Sequence, residues 1–172
     1  MEADLRRKNI LDMVKKNDAP VSASLLAKTL NVSRQVIVGD IALLRAQGNE
    51  IIATARGYMV PEFIEKSRHL GKAACRHAPG DAKAELYAIV DLKAVVVNII
   101  VEHKIYGEIT GNLNISDRDG VDNFVEKLNA SDDRLLSELT LGVHLHTIAC
   151  RDKAHFDDVL RALDDRGFLL KN

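Results

Sequence analysis

The chain has 172 residues, 47 % of them apolar, which is enough for one large core or two small ones and too much for a disordered segment. Charged residues make up 28 % and nearly cancel to a net −1, which excludes an evenly basic nucleic-acid coat. Two cysteines, Cys75 and Cys150, are too few for a disulfide framework, and neither a membrane-length apolar run nor a signal-peptide core is present, so a soluble cytoplasmic protein is expected.

The charge is unevenly spread. Residues 1–60 hold nine Lys/Arg and six Asp/Glu, a local +3, which leaves −4 for the remainder. A mildly basic head on an acidic body suits a polyanion-binding module joined to something else. Leu5, Ile10, Leu11 and Val14 recur at helical spacing up to Lys16, where the Asn17-Asp18-Ala19-Pro20 cluster ends the helix. Ser22 is placed to cap a short helix carrying Leu25, Leu26 and Leu30, and the Asn31-Val32 turn leads to Ser33 as the next cap. Two helices joined by such a turn form a helix-turn-helix.

A third helix over residues 34–47 buries Ile37, Ile41 and Leu44 and turns Arg34, Gln35, Val38, Gly39, Ala42 and Arg45 outward. Arg34 and Gln35 occupy the first turn, where a recognition helix meets base edges. Gly48 ends the helix, and residues 50–60 predict two short strands around Ala55-Arg56-Gly57, a wing whose Arg56 suits a phosphate or the minor groove. The predicted DNA-contacting set is Ser33, Arg34, Gln35, Arg45 and Arg56.

Residues 61–72 are charged and lack a long apolar pattern, which predicts a linker or connecting helix, so the second domain is set at 73–172. Within it, residues 84–91 and 95–103 are rich in β-forming side chains and predict a hairpin, with 107–115 as a third strand. Helical spacing returns at 119–128 and 153–164. The fold class is α+β: a winged helix-turn-helix followed by an α+β domain.

The stretch GVHLHTIAC, residues 142–150, places His144 and His146 on one strand face with α-carbons roughly 6.5–7 Å apart, within reach of one divalent ion. A His-x-His pair is also compatible with ordinary solvent-facing alternation. The best additional donors are His77, in a loop before a Pro-Gly turn, and Glu85, expected at the start of a strand. A His3Glu set suits nickel, zinc, manganese or iron alike. Cys75 and Cys150 read as packing residues, and His69 and His155 as surface residues. His103 and Arg118, with Arg76, are candidates to contact a bound ligand.

These residues carry two resemblances. The run LAKTLNVSRQVIVGDIALLRAQGNEIIATARGYMV resembles the winged helix of small bacterial repressors that share this module with biotin-ligase-type regulators. His77 with ELYAIVD, VEHKIYG (101–107), LSELT (136–140) and GVHLHTI (142–148) resemble the three-histidine domain fused to such a winged helix in nicotinate-responsive repressors of the NiaR type. That resemblance implies a homodimer on a double-stranded DNA operator, repressing genes of niacin uptake or NAD synthesis when nicotinic acid binds. It also implies a divalent transition metal on His77, Glu85, His144 and His146. The chain departs from the family pattern at Leu92-Lys93, where a Gly-Gly turn is expected, at Lys104 in place of Pro, and at Gly39. The competing expectations are a metal-dependent hydrolase fused to a DNA-binding domain and a repressor whose effector is the ion itself.

Overall fold

The computed structural model describes residues 2–60 and 69–171, and the chain divides into two units, Met1–Glu62 and Phe63–Asn172. In the first, the expected caps set the helix starts. Ser22 Oγ accepts from Leu25 N–H at 3.1 Å and Ser33 Oγ from Val36 N–H at 3.3 Å, opening α2 (Ala23–Leu30) and α3 (Arg34–Ala46). Asn31 closes α2 in the left-handed region at φ 54°, and Gly48, at φ 90°, closes α3. Against these packs α1 (Ala3–Lys16). Ile10, Val14, Leu26, Leu30, Ile37, Ile41 and Leu44 form one buried cluster.

The inward face of α3 also holds Asp40, only 4 % exposed, which accepts from Arg6 Nε at 2.6 Å. A buried carboxylate needs such a partner, and this one ties the third helix to the first. The wing is β1 (Ile52–Thr54) paired antiparallel with β2 (Gly57–Met59), and Val21 bridges to Tyr58. Gly57 belongs to the second strand rather than to the turn. A Cβ there would collide with the Val21 carbonyl.

The second unit is a four-stranded antiparallel sheet of β3 (His69–Arg76), β4 (Val95–His103), β5 (Gly107–Ile115) and β6 (Val143–Cys150), in the order β3-β6-β4-β5. One face is covered by α4 (Ala82–Val90), α5 (Arg118–Asn129) and α6 (Lys153–Asp165). Leu86, Ile89, Val121, Phe156, Val159 and Leu163 meet Ala73, Cys75, Val96, Ile115 and Ile148 in a single core.

Three expectations are corrected. Residues 84–90 are helical, with Asp91 as the cap, not a strand, and β4 pairs with β5 and β6 instead of with them. A short apolar run fits either state by periodicity alone; here Leu86, Ile89 and Val90 stand at i, i+3 and i+4, Ala82, Ala84 and Ala88 favour helix, and Pro79 opens the preceding 3-10 turn, Pro79–Asp81.

Residues 69–72 are not linker but the start of β3; residues 61–68 lie outside the described part. Small residues hide this strand in the sequence, and they are there for packing: a Cβ on Gly71 would run into the ring of Phe156. Finally, His69 lies in a strand and His155 is buried. The His155 ring donates from Nε2 to the Leu92 carbonyl at 2.7 Å and accepts from Arg151 N–H at Nδ1. The departure at Leu92-Lys93 keeps the turn a glycine would make, with Lys93 in the left-handed region at φ 64°.

Candidate metal centre

Strand β6 turns His144 and His146 to the helix-covered face, where their side chains are 1 % and 2 % exposed. Helix α4 brings Glu85 over them, and the loop after β3 brings His77. The four side chains converge: Glu85 Oε2 is 2.7 Å from His77 Nε2 and 3.2 Å from His146 Nε2, and Oε1 is 3.2 Å from His144 Nε2. That Glu85 comes from a helix does not change the convergence.

Each ring is oriented by its other nitrogen. His77 Nδ1 lies 2.7 Å from the Ala78 carbonyl, His144 Nδ1 2.8 Å from that of Gly142, and His146 Nδ1 2.9 Å from that of Asn98. A carbonyl only accepts, so each Nδ1 carries the proton and each neutral ring turns the lone pair of Nε2 inward. Three lone pairs then face a carboxylate, which when ionised is also an acceptor only. Burial alone would push the Glu85 carboxyl up; where a proton rather than a metal sits on an Nε2, the hydrogen bond that nitrogen then donates holds the carboxyl well below its usual range.

Four acceptors pointed at one another need positive charge between them. Protonating all three rings would bury three charges against one; a divalent ion satisfies all four donors with less. Donors about 2.0–2.1 Å from a common ion at tetrahedral or octahedral angles lie roughly 3 Å apart, and each histidine Nε2 stands 2.7 to 3.2 Å from a Glu85 oxygen. Imidazoles that donate their remote N–H to carbonyls are also typical of metal ligands. The donor set therefore fits a divalent transition metal.

Cys75 stands opposite His144 in the strand register, and its sulfur lies within 4.8 Å of ligand atoms of Glu85 and His144. Burial, then the Glu85 charge, push its thiol up, so it is a neutral S–H beside the cluster. Two supporting residues are not evident from the sequence. Asn98 sits at a register shift in β4, where its carbonyl takes the His146 N–H and its Oδ1 accepts from Thr147 N–H at 3.3 Å. A polar residue interrupting an apolar strand is the signal that marks it. Gly142 has φ 91° and a Cβ there would collide with the His77 carbonyl, so the turn before β6 holds one ligand's backbone while its own carbonyl orients another.

A cavity of about 210 Å³ opens onto the four side chains, walled by Leu86, Ile99, Leu113, Phe124, Leu128 and Leu136. None of the three ligand-contact candidates, Arg76, His103 and Arg118, lines it. Arg118 makes a bidentate pair with Asp91, both contacts at 2.7 Å, and its guanidinium lies 4.3 Å over the ring of Tyr87. His103 stacks on Tyr106 at the far end of β4, its Nδ1 accepting from Ile105 N–H.

Among the predicted DNA contacts, Arg34 and Gln35 are exposed in the first turn of α3 beside the Ser33 cap, and Arg56 is exposed in the wing turn. Arg45 is exposed as well, and its Nε donates to the Ile51 carbonyl at 2.6 Å with the guanidinium 6.0 Å over Tyr58, so it also braces the wing against the helix.

Residues 71–172 match the 3H domain, and residues 6–59 match an HTH domain. The chain is 38 % identical over 169 residues to the Transcription repressor NadR of Bacillus subtilis (strain 168), covering 97 % of this chain and 94 % of that one. It belongs to the 3H-domain transcription repressors. A second relative in this group, the Probable transcription repressor NiaR of Thermotoga maritima, is 40 % identical over 166 residues, 96 % of this chain and 94 % of the relative. A 3H-domain repressor is a regulator, not an enzyme. No helix among its described residues is long and apolar enough to cross a membrane.

Proposed function

We propose that the chain is a homodimeric repressor of niacin uptake or NAD synthesis genes, with a divalent metal on His77, Glu85, His144 and His146 and nicotinic acid as co-repressor. The observation that carries this reading is the set of three inward Nε2 lone pairs around one buried carboxylate, each imposed by a carbonyl on the opposite ring nitrogen. The ion, of nickel, zinc, manganese or iron character, supplies a Lewis-acid position open to a ring nitrogen or carboxylate. The apolar walls of the adjoining cavity suit a flat aromatic ring.

Repression then depends on differential binding. The acid favours the dimer geometry that sets two recognition helices about one DNA turn, 34–36 Å, apart, and operator affinity rises by that preference and no more. The test is a titration of operator duplex with metal-loaded protein, with and without nicotinate. Tighter binding with the acid, reversed by chelation, is expected. Operator affinity unchanged by nicotinate in loaded protein overturns the sensing role.

A further inference from the structure

We propose that Arg134 is the residue by which the cavity selects an acid over its amide, taking the carboxylate of a flat ligand whose other end faces the metal centre. This rests on the effector reading above and goes further by naming what the ligand's far end must be. A water's share of liquid volume is about 30 Å³, so a space of about 210 Å³ holds a molecule of several heavy atoms. The walls are mostly hydrocarbon, and Gly111 keeps them apart, since a Cβ there would lie 2.9 Å from Leu136 Cδ1 and 3.1 Å from Ile99 Cγ2.

Arg134 is the one Lys or Arg among the described residues lining this space. Other arginines are committed: Arg118 to Asp91, Arg6 to Asp40, Arg45 to the Ile51 carbonyl. Arg134 forms no ion pair with any described residue, although Asp132 and Asp133 precede it. Its backbone is nevertheless fixed. The next residue, Leu135, is 8 % exposed and donates its N–H to Glu138 Oε1 at 3.1 Å, while Glu138 N–H returns to the Leu135 carbonyl at 3.0 Å. An uncommitted guanidinium is thus held on an anchored segment at the rim of an apolar cavity.

The chemistry favours an anion with a planar, two-oxygen head. A guanidinium pairs with a carboxylate through two charge-assisted hydrogen bonds, and nearby apolar walls strengthen them. An amide offers one acceptor, no charge, and an NH2 group that faces the cation unfavourably. A metal alone would bind the ring nitrogen of acid and amide about equally, so the choice between them must come from the other end of the ligand.

The experiment is calorimetric titration of nickel-loaded full-length protein with nicotinate and with nicotinamide, comparing wild type, Arg134→Gln, Arg134→Lys and Arg118→Gln, with metal content measured for each. Wild type should prefer the acid. Arg134→Gln should lose roughly 10- to 100-fold in nicotinate affinity with little change for the amide, Arg134→Lys should fall between, and Arg118→Gln should match wild type, all with equal nickel content. An Arg134→Gln protein that keeps the wild-type ratio of acid to amide affinity overturns the assignment and leaves the effector reading standing. A wild-type protein that binds neither compound removes both.

Discussion

Each imidazole of the cluster is held by a carbonyl, which sets metal and proton in competition for the same Nε2 atoms. For His77, burial works against the charged form, but the hydrogen bond and charge of Glu85 outweigh it and raise the proton affinity. In the metal-free chain the sign is that of a raised group: the stability linked to this proton is fully present below about pH 6.5 and lost as pH rises through the folded value. For the metal the sign reverses, because the proton must leave. Metal affinity should therefore fall on acidification, beginning above about pH 6.5. Glu85, held low, stays ionised and adds nothing in that window. Competition titrations against a chelator between about pH 5.5 and 8 check this, and a flat profile would contradict it. Cys75 supplies a second prediction at this scale. As a neutral neighbour it is dispensable, so Cys75→Ala should keep its metal, whereas His146→Ala should lose affinity by more than the roughly 10- to 100-fold that removing an orienting partner costs.

Among the elements, the turn into β6 matters most to the site. Gly142→Ala places a methyl group against the His77 carbonyl and forces a left-handed backbone on a residue that resists it, so it should cost about 2 kcal/mol or more and weaken metal binding together with stability. Chemical denaturation with and without metal separates the two losses. Lys93→Gly runs the other way: it relieves the same kind of backbone cost at φ 64°, in a turn that carries none of the four cluster residues, and should stabilise by about 0.5–1 kcal/mol without altering metal affinity. How far such elements are legible in the sequence depends on what signals them. The caps at Ser22 and Ser33 and the stop at Gly48 are local chemistry, and they stand in the sequence. The alternation that pairs His144 with His146 does too. Helix α4 reads as a strand because Leu86, Ala88, Ile89 and Val90 are apolar in either state, and the alanines and Pro79 that favour helix are a fainter signal than that run. Strand β3 reads as linker because Gly71, Ala73 and Ala74 are small, and Gly71 is so for the sake of Phe156, a residue more than eighty positions away. Arg134, at the cavity rim, carries no motif at all.

At the scale of the whole molecule, two units with separate cores divide the work, one built to meet DNA and the other built around the histidine cluster. The DNA-facing residues should separate by role. Arg56→Ala, at the wing, should weaken binding to all duplexes and lower the salt slope by about one, while Arg34→Ala or Gln35→Ala should relax preference at one base position by about 1–3 kcal/mol. Equal losses on operator and random DNA for all three would contradict the placement of the recognition helix. The regulatory role depends on whether three imidazoles and one carboxylate, all turned inward as acceptors, hold an ion. The direct measurement is the metal content and binding stoichiometry of purified full-length protein, beside a Glu85→Gln variant shown to be folded. One tightly held divalent ion per chain, lost or greatly weakened in the variant, is the predicted result. A folded wild-type chain that takes up no nickel, zinc, manganese or iron would contradict it.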